Sequence, residues 1–215
     1  MEDELMHSYY MKCTLSAHKK VTIFIILLLF VDQAVKFAVK LNMELYQSIH
    51  VFGEWFQISF VENPGAAFGM QFGGEWGKLA LSLLRIVFIA LIAWYTHRLI
   101  KTSAPKGVIV GAALILAGAV GNMIDSAFYG IIFSASTPYE VATLFPEGGG
   151  YASFLHGRVV DMLYFPIINA TWPDWVPWVG GSDFTFFSPV FNIADSYITV
   201  AVFYILLFQR KYFMK

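Results

Sequence analysis

Two carboxylates stand where an apolar chain should exclude them: Asp161 in GRVVDMLYF and Asp195 in FNIADSYITV, each at the edge of a strongly apolar stretch. Burying an ionised carboxylate in hydrocarbon is costly, so such groups line a polar cavity, pair with another group or titrate. Two aspartates at similar depth suit shared proton chemistry, in which one carboxyl holds the proton that the other lacks.

Other chemistries find less support. The histidines, His7, His18, His50, His97 and His156, are scattered, and there is no HExxH helix and no Cys/His cluster. Zinc is therefore not expected. Cys13 is the only cysteine, which leaves neither a disulfide nor a thiolate metal site. No GxSxG elbow occurs, and no serine lies beside a histidine base. Aspartate is left as the catalytic residue type, and no metal or organic cofactor is required.

The elements that position these residues follow from composition. Of 215 residues, 58% are hydrophobic and 13% charged. A helix crosses the hydrocarbon core with about 20 apolar residues. Four stretches qualify, near 21–40, 78–97, 107–126 and 190–209. The fold class is thus an all-α membrane protein with a small β element. One membrane domain spans 21–210, between an N-terminal tail, 1–20, and a C-terminal tail, 211–215. Asp32, Gln33 and Lys36 interrupt the first apolar run and no clean cleavage site follows, so that helix is retained rather than removed as a signal peptide.

Basic residues set the expected orientation. Lys12, Lys19 and Lys20 precede the first helix, Arg98, Lys101 and Lys106 join the second to the third, and Arg210, Lys211 and Lys215 follow the fourth. Both termini are expected in the cytoplasm. The loops 41–77 and 127–189 are acidic and expected outside. In the first of them, HVFGEWFQISFVENPG reads as strand, two-residue turn at Gly53-Glu54, and strand, closed by Asn63-Pro64-Gly65. In the second, GGG at 148–150 makes the loop a candidate lid, and Trp172, Trp175 and Trp178 suit the headgroup region.

Polar residues recur on helix faces. Asp32 and Lys36 share one face. Gly118, Asn122 and Asp125 share another, and Asn192, Asp195 and Thr199 a third. Such stripes serve equally as interhelical glue. Here they converge on the outer ends of their helices, where Asn63 and Asp161 also arrive. A site acting at the outer membrane surface explains that convergence. GVIVG, residues 107–111, reads as helix packing, and Arg85 as a side chain reaching for headgroups.

Taken in order, DQAVK, NPGAAFG, GAVGNMID, VVDM and FNIADS resemble the lipoprotein signal peptidase family, signal peptidase II. The resemblance covers roughly residues 21–210. It implies an inner-membrane aspartyl endopeptidase that cuts diacylglyceryl-modified prolipoproteins before the lipidated cysteine, near the outer leaflet. Asp161 and Asp195 match its catalytic pair. Asp32, Lys36, Asn63, Gly65, Gly118, Asn122, Asp125, Asn192 and Ala194 match positions that bind substrate or support the site. The implied partners are prolipoproteins and membrane lipids, with no nucleic acid, and the chain is expected to act as a monomer.

The chain departs from the family pattern at Ser126, where an arginine is usual, and at Met162, where a phenylalanine is usual. Arg158, three residues before Asp161, is expected to supply the missing positive charge. About thirty additional residues separate Asp125 from Asp161. Two other readings exist. A proton- or ion-coupled carrier would need polar residues reaching the cytoplasmic side, where FIILLL, FIALIAW and FYILLF are apolar. A noncatalytic assembly protein would tolerate loss of both aspartates.

Overall fold

The computed structural model describes residues 2–64 and 74–214, with side chains described for 14–64 and 76–214. Four helices in it are long and apolar enough to cross a membrane, with spans Thr14–Asn42, Trp76–Lys101, Lys106–Ile132 and Ile193–Phe213. Each is longer than the 20-residue core read from hydropathy, at 29, 26, 27 and 21 residues. Residues 2–20, within the stretch expected as an N-terminal tail, are helical and continuous with the first span. α1 runs unbroken over Glu2–Asn42, with neither Gly nor Pro to stop it.

α2 spans Gly74–Lys101. Pro105, with φ fixed at -51°, precedes α3, Lys106–Ile124, which continues through a wide π-helical turn, Asp125–Tyr129, and a last turn, Gly130–Ile132. α4 spans Ile193–Tyr204, followed by a second wide turn, Ile205–Gln209, and Arg210–Phe213.

α3 is the central helix and packs against α1, α2 and α4. Its buried face is built of small residues, Gly111, Ala112, Ala113, Ala117, Gly118 and Gly121. These let backbones approach, which is how membrane helices gain contact without a hydrophobic driving force. A Cβ at Gly111 would lie 2.8 Å from Ile205, and one at Gly118 would strike the Ala194 carbonyl. The GVIVG glycines are therefore packing residues on the α4 side.

The β element lies where α1 and α3 end and α4 begins. β1, Ser48–Phe52, and β2, Phe56–Asn63, form an antiparallel hairpin. Its turn holds three residues rather than two, with a register shift between His50 and Phe52 and Gly53 at φ +53°. β3, Val159–Tyr164, pairs with β2, and β6, Val190–Phe191, pairs with β3, giving the order β1-β2-β3-β6. Asp161 is thus on an interior strand, opposite Val61. β4, Ile168–Thr171, and β5, Asp183–Phe186, form a separate hairpin.

The sheet seats on the helices through Val39, Met43, Phe60, Tyr129, Phe133, Val160 and Met162. Met162, one of the two departures from the family pattern, is fully buried there and acts through packing.

The first part of the second loop is pinned rather than free. Backbone amides of Phe145, Tyr151, Ala152 and Gly157 donate to the carbonyls of Ile132, Phe133, Gly130 and Ser126 at 2.7, 3.0, 2.9 and 2.8 Å. Lys78 Nζ and Ser82 Oγ on α2 donate to the carbonyls of His156 and Leu155 at 2.5 and 3.0 Å. Gly150 packs against the Gly130 and Ile131 carbonyls where a Cβ has no room. Of the GGG stretch, Gly150 is thus held against the end of α3, while a Cβ at Gly148 or Gly149 would meet nothing within 4 Å. Buried Lys40 adds a further clasp, donating to Glu62 and to Ser136 Oγ, and joins α1 to β2 and to this wall.

Candidate active site

The site is built around one ammonium. Lys36, with no exposed surface, lies one helical turn after Asp32 and reaches Asp32 Oδ2 at 3.1 Å, Asp125 Oδ2 at 2.9 Å and Asn122 Oδ1 at 2.9 Å. Gln33 Nε2 donates to Asp32 Oδ2 and Asp125 Oδ1, both at 3.0 Å, and to the Gly121 carbonyl at 3.2 Å. The Tyr129 hydroxyl donates in turn to Gln33 Oε1 at 3.1 Å. A Cβ at Gly121 would come within 2.7 Å of Asp32 Oδ2, so that glycine gives the carboxylate its space.

The same carboxylates hold the neighbours of the two suspect aspartates. Asp32 Oδ1 accepts from the Ala194 amide at 3.0 Å, and Asp125 Oδ2 from the Val160 amide at 3.1 Å. Ala194 precedes Asp195, and Val160 precedes Asp161. Their placement is thus fixed by backbone bonds to buried acids.

Asn192 joins the pair directly. Its Nδ2 donates to Asp161 Oδ1 at 2.6 Å and to Asn122 Oδ1 at 3.0 Å. Its Oδ1 accepts from the Asp195 amide at 2.9 Å, while its own amide donates to Asp195 Oδ2 at 3.4 Å. This reciprocal arrangement is a capping box at the start of α4. Asn122 Nδ2 completes the set by donating to Asp195 Oδ1 at 2.7 Å. Asn63, at the end of β2, hydrogen-bonds the Asp161 carboxyl.

Asp161 is 3% exposed. Burial first, and then the neighbouring Asp195 carboxylate, push its carboxyl up to about 7, against the opposing effects of Asn192, Asn63 and Lys36. At neutral pH the interior aspartate is therefore poised between its two forms. Asp195 is only partly buried, in the first turn of α4.

The structure brings together Asp32, Lys36, Asn63, Asn122, Asp125, Asp161, Asn192, Ala194 and Asp195. Gly118 serves the contact between α3 and α4, and Gly65 lies outside the described residues. Thr199 is exposed and does not extend the α4 stripe inward.

Arg158 does not take the place expected of it. Its guanidinium donates to Glu62 Oε2 at 3.1 Å and lies over the Tyr151 ring, with the side chain 44% exposed. Glu62 also pairs with Lys40, and this carboxylate draws Arg158 to the sheet. The cation at Ser126 is Arg85 instead, whose Nη1 donates to Ser126 Oγ at 3.4 Å and which lies close enough to Asp195 to interact with its charge. The reading of Arg85 as a headgroup-seeking side chain is corrected accordingly.

A readable signal was present, since Lys78, Ser82 and Arg85 fall at i, i+4 and i+7 and form a fourth polar stripe. Gln33 and Tyr129 were also missed. Gln33 breaks the apolar run beside Asp32, but nothing in its spacing reveals that it bridges two carboxylates. Among the described residues, no group of three or more His, Cys, Asp or Glu is placed to hold a metal ion.

Comparison with known proteins decides the family. Residues 24–210 match the model of signal peptidase II. The chain belongs to the signal peptidase II family. A lipoprotein signal peptidase of Porphyromonas gingivalis is 50% identical over 190 residues, covering 88% of this chain and 82% of that protein. One from Amoebophilus asiaticus is 40% identical over 183 residues, covering 84% and 73%. A solved structure titled as a bacterial membrane enzyme, determined by the in meso method at 2.3 Å resolution, matches with a TM-score of 0.60 at 22% identity, covering 90% of this chain and 88% of that one. That likeness bears on the fold. The chain is therefore a peptidase and a multi-pass bacterial membrane protein.

Replacing Lys36 with Met leaves Asp32 and Asp125 buried without their cation. Breaking a buried pair this way costs on the order of 3–5 kcal/mol. The thermal midpoint of the purified protein should fall well below that of wild type, whereas exposed Lys19→Met should leave it in place. Equal midpoints for the two variants would remove Lys36 from the centre of the fold.

Proposed function

We propose that this peptidase removes the signal peptide of diacylglyceryl-modified prolipoproteins by an aspartyl mechanism, with Asp161 and Asp195 as the catalytic pair. The observation that carries the reading is Asn192, whose side chain bonds Asp161 and the Asp195 amide while its own amide bonds the Asp195 carboxylate. It couples two carboxyls from different elements at one point. A carrier is not supported by the family. The distribution of basic segments supports a site near the outer leaflet of the inner membrane, and we read the chain as acting there as a monomer.

In this mechanism Asp195, surrounded by donors and close to Arg85, is the base. It takes a proton from water as the oxygen attacks the carbonyl carbon preceding the lipidated cysteine. Asp161 gives its proton to the carbonyl oxygen, and a tetrahedral diol forms. On collapse the C–N bond breaks, Asp195 returns its proton to the leaving amine, and Asp161 recovers one from the diol. The atoms balance without a metal or organic cofactor. The diacylglyceryl group confines the substrate to the leaflet and sets the depth of the bond to be cut.

Asp161→Asn and Asp195→Asn should each lower cleavage of a lipidated prolipoprotein by about a thousandfold or more while the protein remains folded. Activity retained by either folded variant would exclude the pair.

The pH profile carries a sign. Asp161 is protonated below its raised value of about 7 and ionised above it. As the acid, it is lost as pH rises, so kcat/KM should fall through pH 7 to 8. A rate that instead climbs across that window would assign the roles the other way.

Arg85, on the Ser126 hydroxyl, supplies the guanidinium expected beside the GNMID block and orients a substrate carbonyl. Arg85→Gln should reduce kcat/KM by about tenfold or more, and Arg158→Gln by about twofold or less. The reverse ranking in a cleavage assay would return the role to Arg158.

A further inference from the structure

The β4–β5 hairpin is unexplained by the site. Among the described residues it pairs with no other strand, and its surface is strongly apolar. Trp175 is 81% exposed and Trp178 fully so, with Ile168 and Phe186 each more than half exposed. From Phe165 to Phe191 the chain has no Lys, Arg or His, and its only charges are Asp174 and Asp183. A hairpin that stood in water would be expected to carry a charged face.

The tip is compact rather than loose. Val176, Gly180 and Gly181 amides donate to the carbonyls of Pro173, Val176 and Trp172 at 3.0, 2.9 and 2.9 Å. Trp172 packs on Phe184, ring centroids 4.7 Å apart, which leaves Trp175 and Trp178 presented outward. Trp178 also adopts φ +67°, a left-handed conformation that disfavours a bulky side chain. A strained backbone holding an indole fully in the open is not accounted for by folding alone.

The base of the hairpin fixes what covers it. One arm leaves β3 three residues after Asp161. The other returns through β6 to Asn192, the cap of the fourth membrane span. Phe165 stacks on Phe56 at 4.6 Å and on Phe191 at 5.8 Å, and Phe56 lies 6.0 Å from Phe52 at the β1–β2 turn. An aromatic row thus runs across the sheet from the β1–β2 turn to β6, at the base of the hairpin.

We propose that the β4–β5 hairpin is a membrane foot, seating Trp175 and Trp178 in the interfacial region of the bilayer that holds the four helices. Indole suits that region because its ring is apolar and its N–H remains hydrated. The absence of cations makes the contact apolar rather than a recognition of anionic headgroups.

The test uses the full chain in nanodiscs of phosphatidylcholine, with or without bromine at the 6,7 positions of the acyl chain. Emission of Trp175 and Trp178 is taken as wild type minus Trp175→Phe/Trp178→Phe, whose fold is checked by circular dichroism; Trp178→Phe alone serves if the double variant misfolds. Brominated lipid should quench this emission by about twofold or more, with little quenching by aqueous acrylamide. Quenching by acrylamide and not by bromolipid would place the tip in water and overturn the proposal. Crosslinking of tip to tip between copies, with no bromolipid effect, would overturn it in favour of a second chain.

Discussion

Everything at this site depends on a cation with no access to water. An ammonium inside a membrane protein persists only where opposite charge and hydrogen bonds replace its hydration. Lys36 finds both in Asp32, Asp125 and Asn122. Two carboxylates facing one ammonium would leave negative charge in excess, and the Ala194 and Val160 amides together with Gln33 supply the donors that offset it. These groups come from α1, α3, β3 and α4. The network therefore closes only when all of these elements have assembled, and the geometry of Asp161 and Asp195 is a property of the whole fold rather than of either local segment.

Much of this was legible in the sequence. Helical spacing alone puts Lys36 above Asp32 and Asn122 beside Asp125, because i, i+3 and i+4 positions share a face. Four apolar runs and one hairpin were equally plain. What spacing does not convey is the partner of each stripe. Asn192 was readable as a polar helix residue, but its bond to Asp161 depends on β3 passing the start of α4, a meeting set by strand pairing across nearly thirty residues. Arg158 and Arg85 show the same limit. By sequence distance Arg158 is the neighbour of Asp161, yet Glu62 on the adjacent strand captures it, while Arg85 arrives from another helix. The pinned wall after α3 was illegible for a related reason, since its anchors are backbone carbonyls that any residue provides.

The two aspartates are held in different ways, and the difference matters chemically. Asp161 is on an interior strand, bonded through Asn192 and Asn63 and enclosed by protein. Burial favours the form without charge, which suits an acid. Asp195 lies in the first turn of α4, bonded by the Asn122 side chain and the Asn192 amide, and is only partly enclosed. A strand and a helix start thus give the same residue type different environments, and the proposed division into acid and base rests on that difference.

The capping box adds a constraint on turnover. Asp195 accepts the Asn192 amide, so the same carboxylate that would take a proton from water also closes the end of α4. Reorienting that carboxylate therefore costs the cap one of its two bonds. Asn192 is fixed at the same moment to Asp161 and Asn122. The cap thus links the two carboxyls mechanically, so that a movement of Asp195 is passed through Asn192 to the strand that carries Asp161.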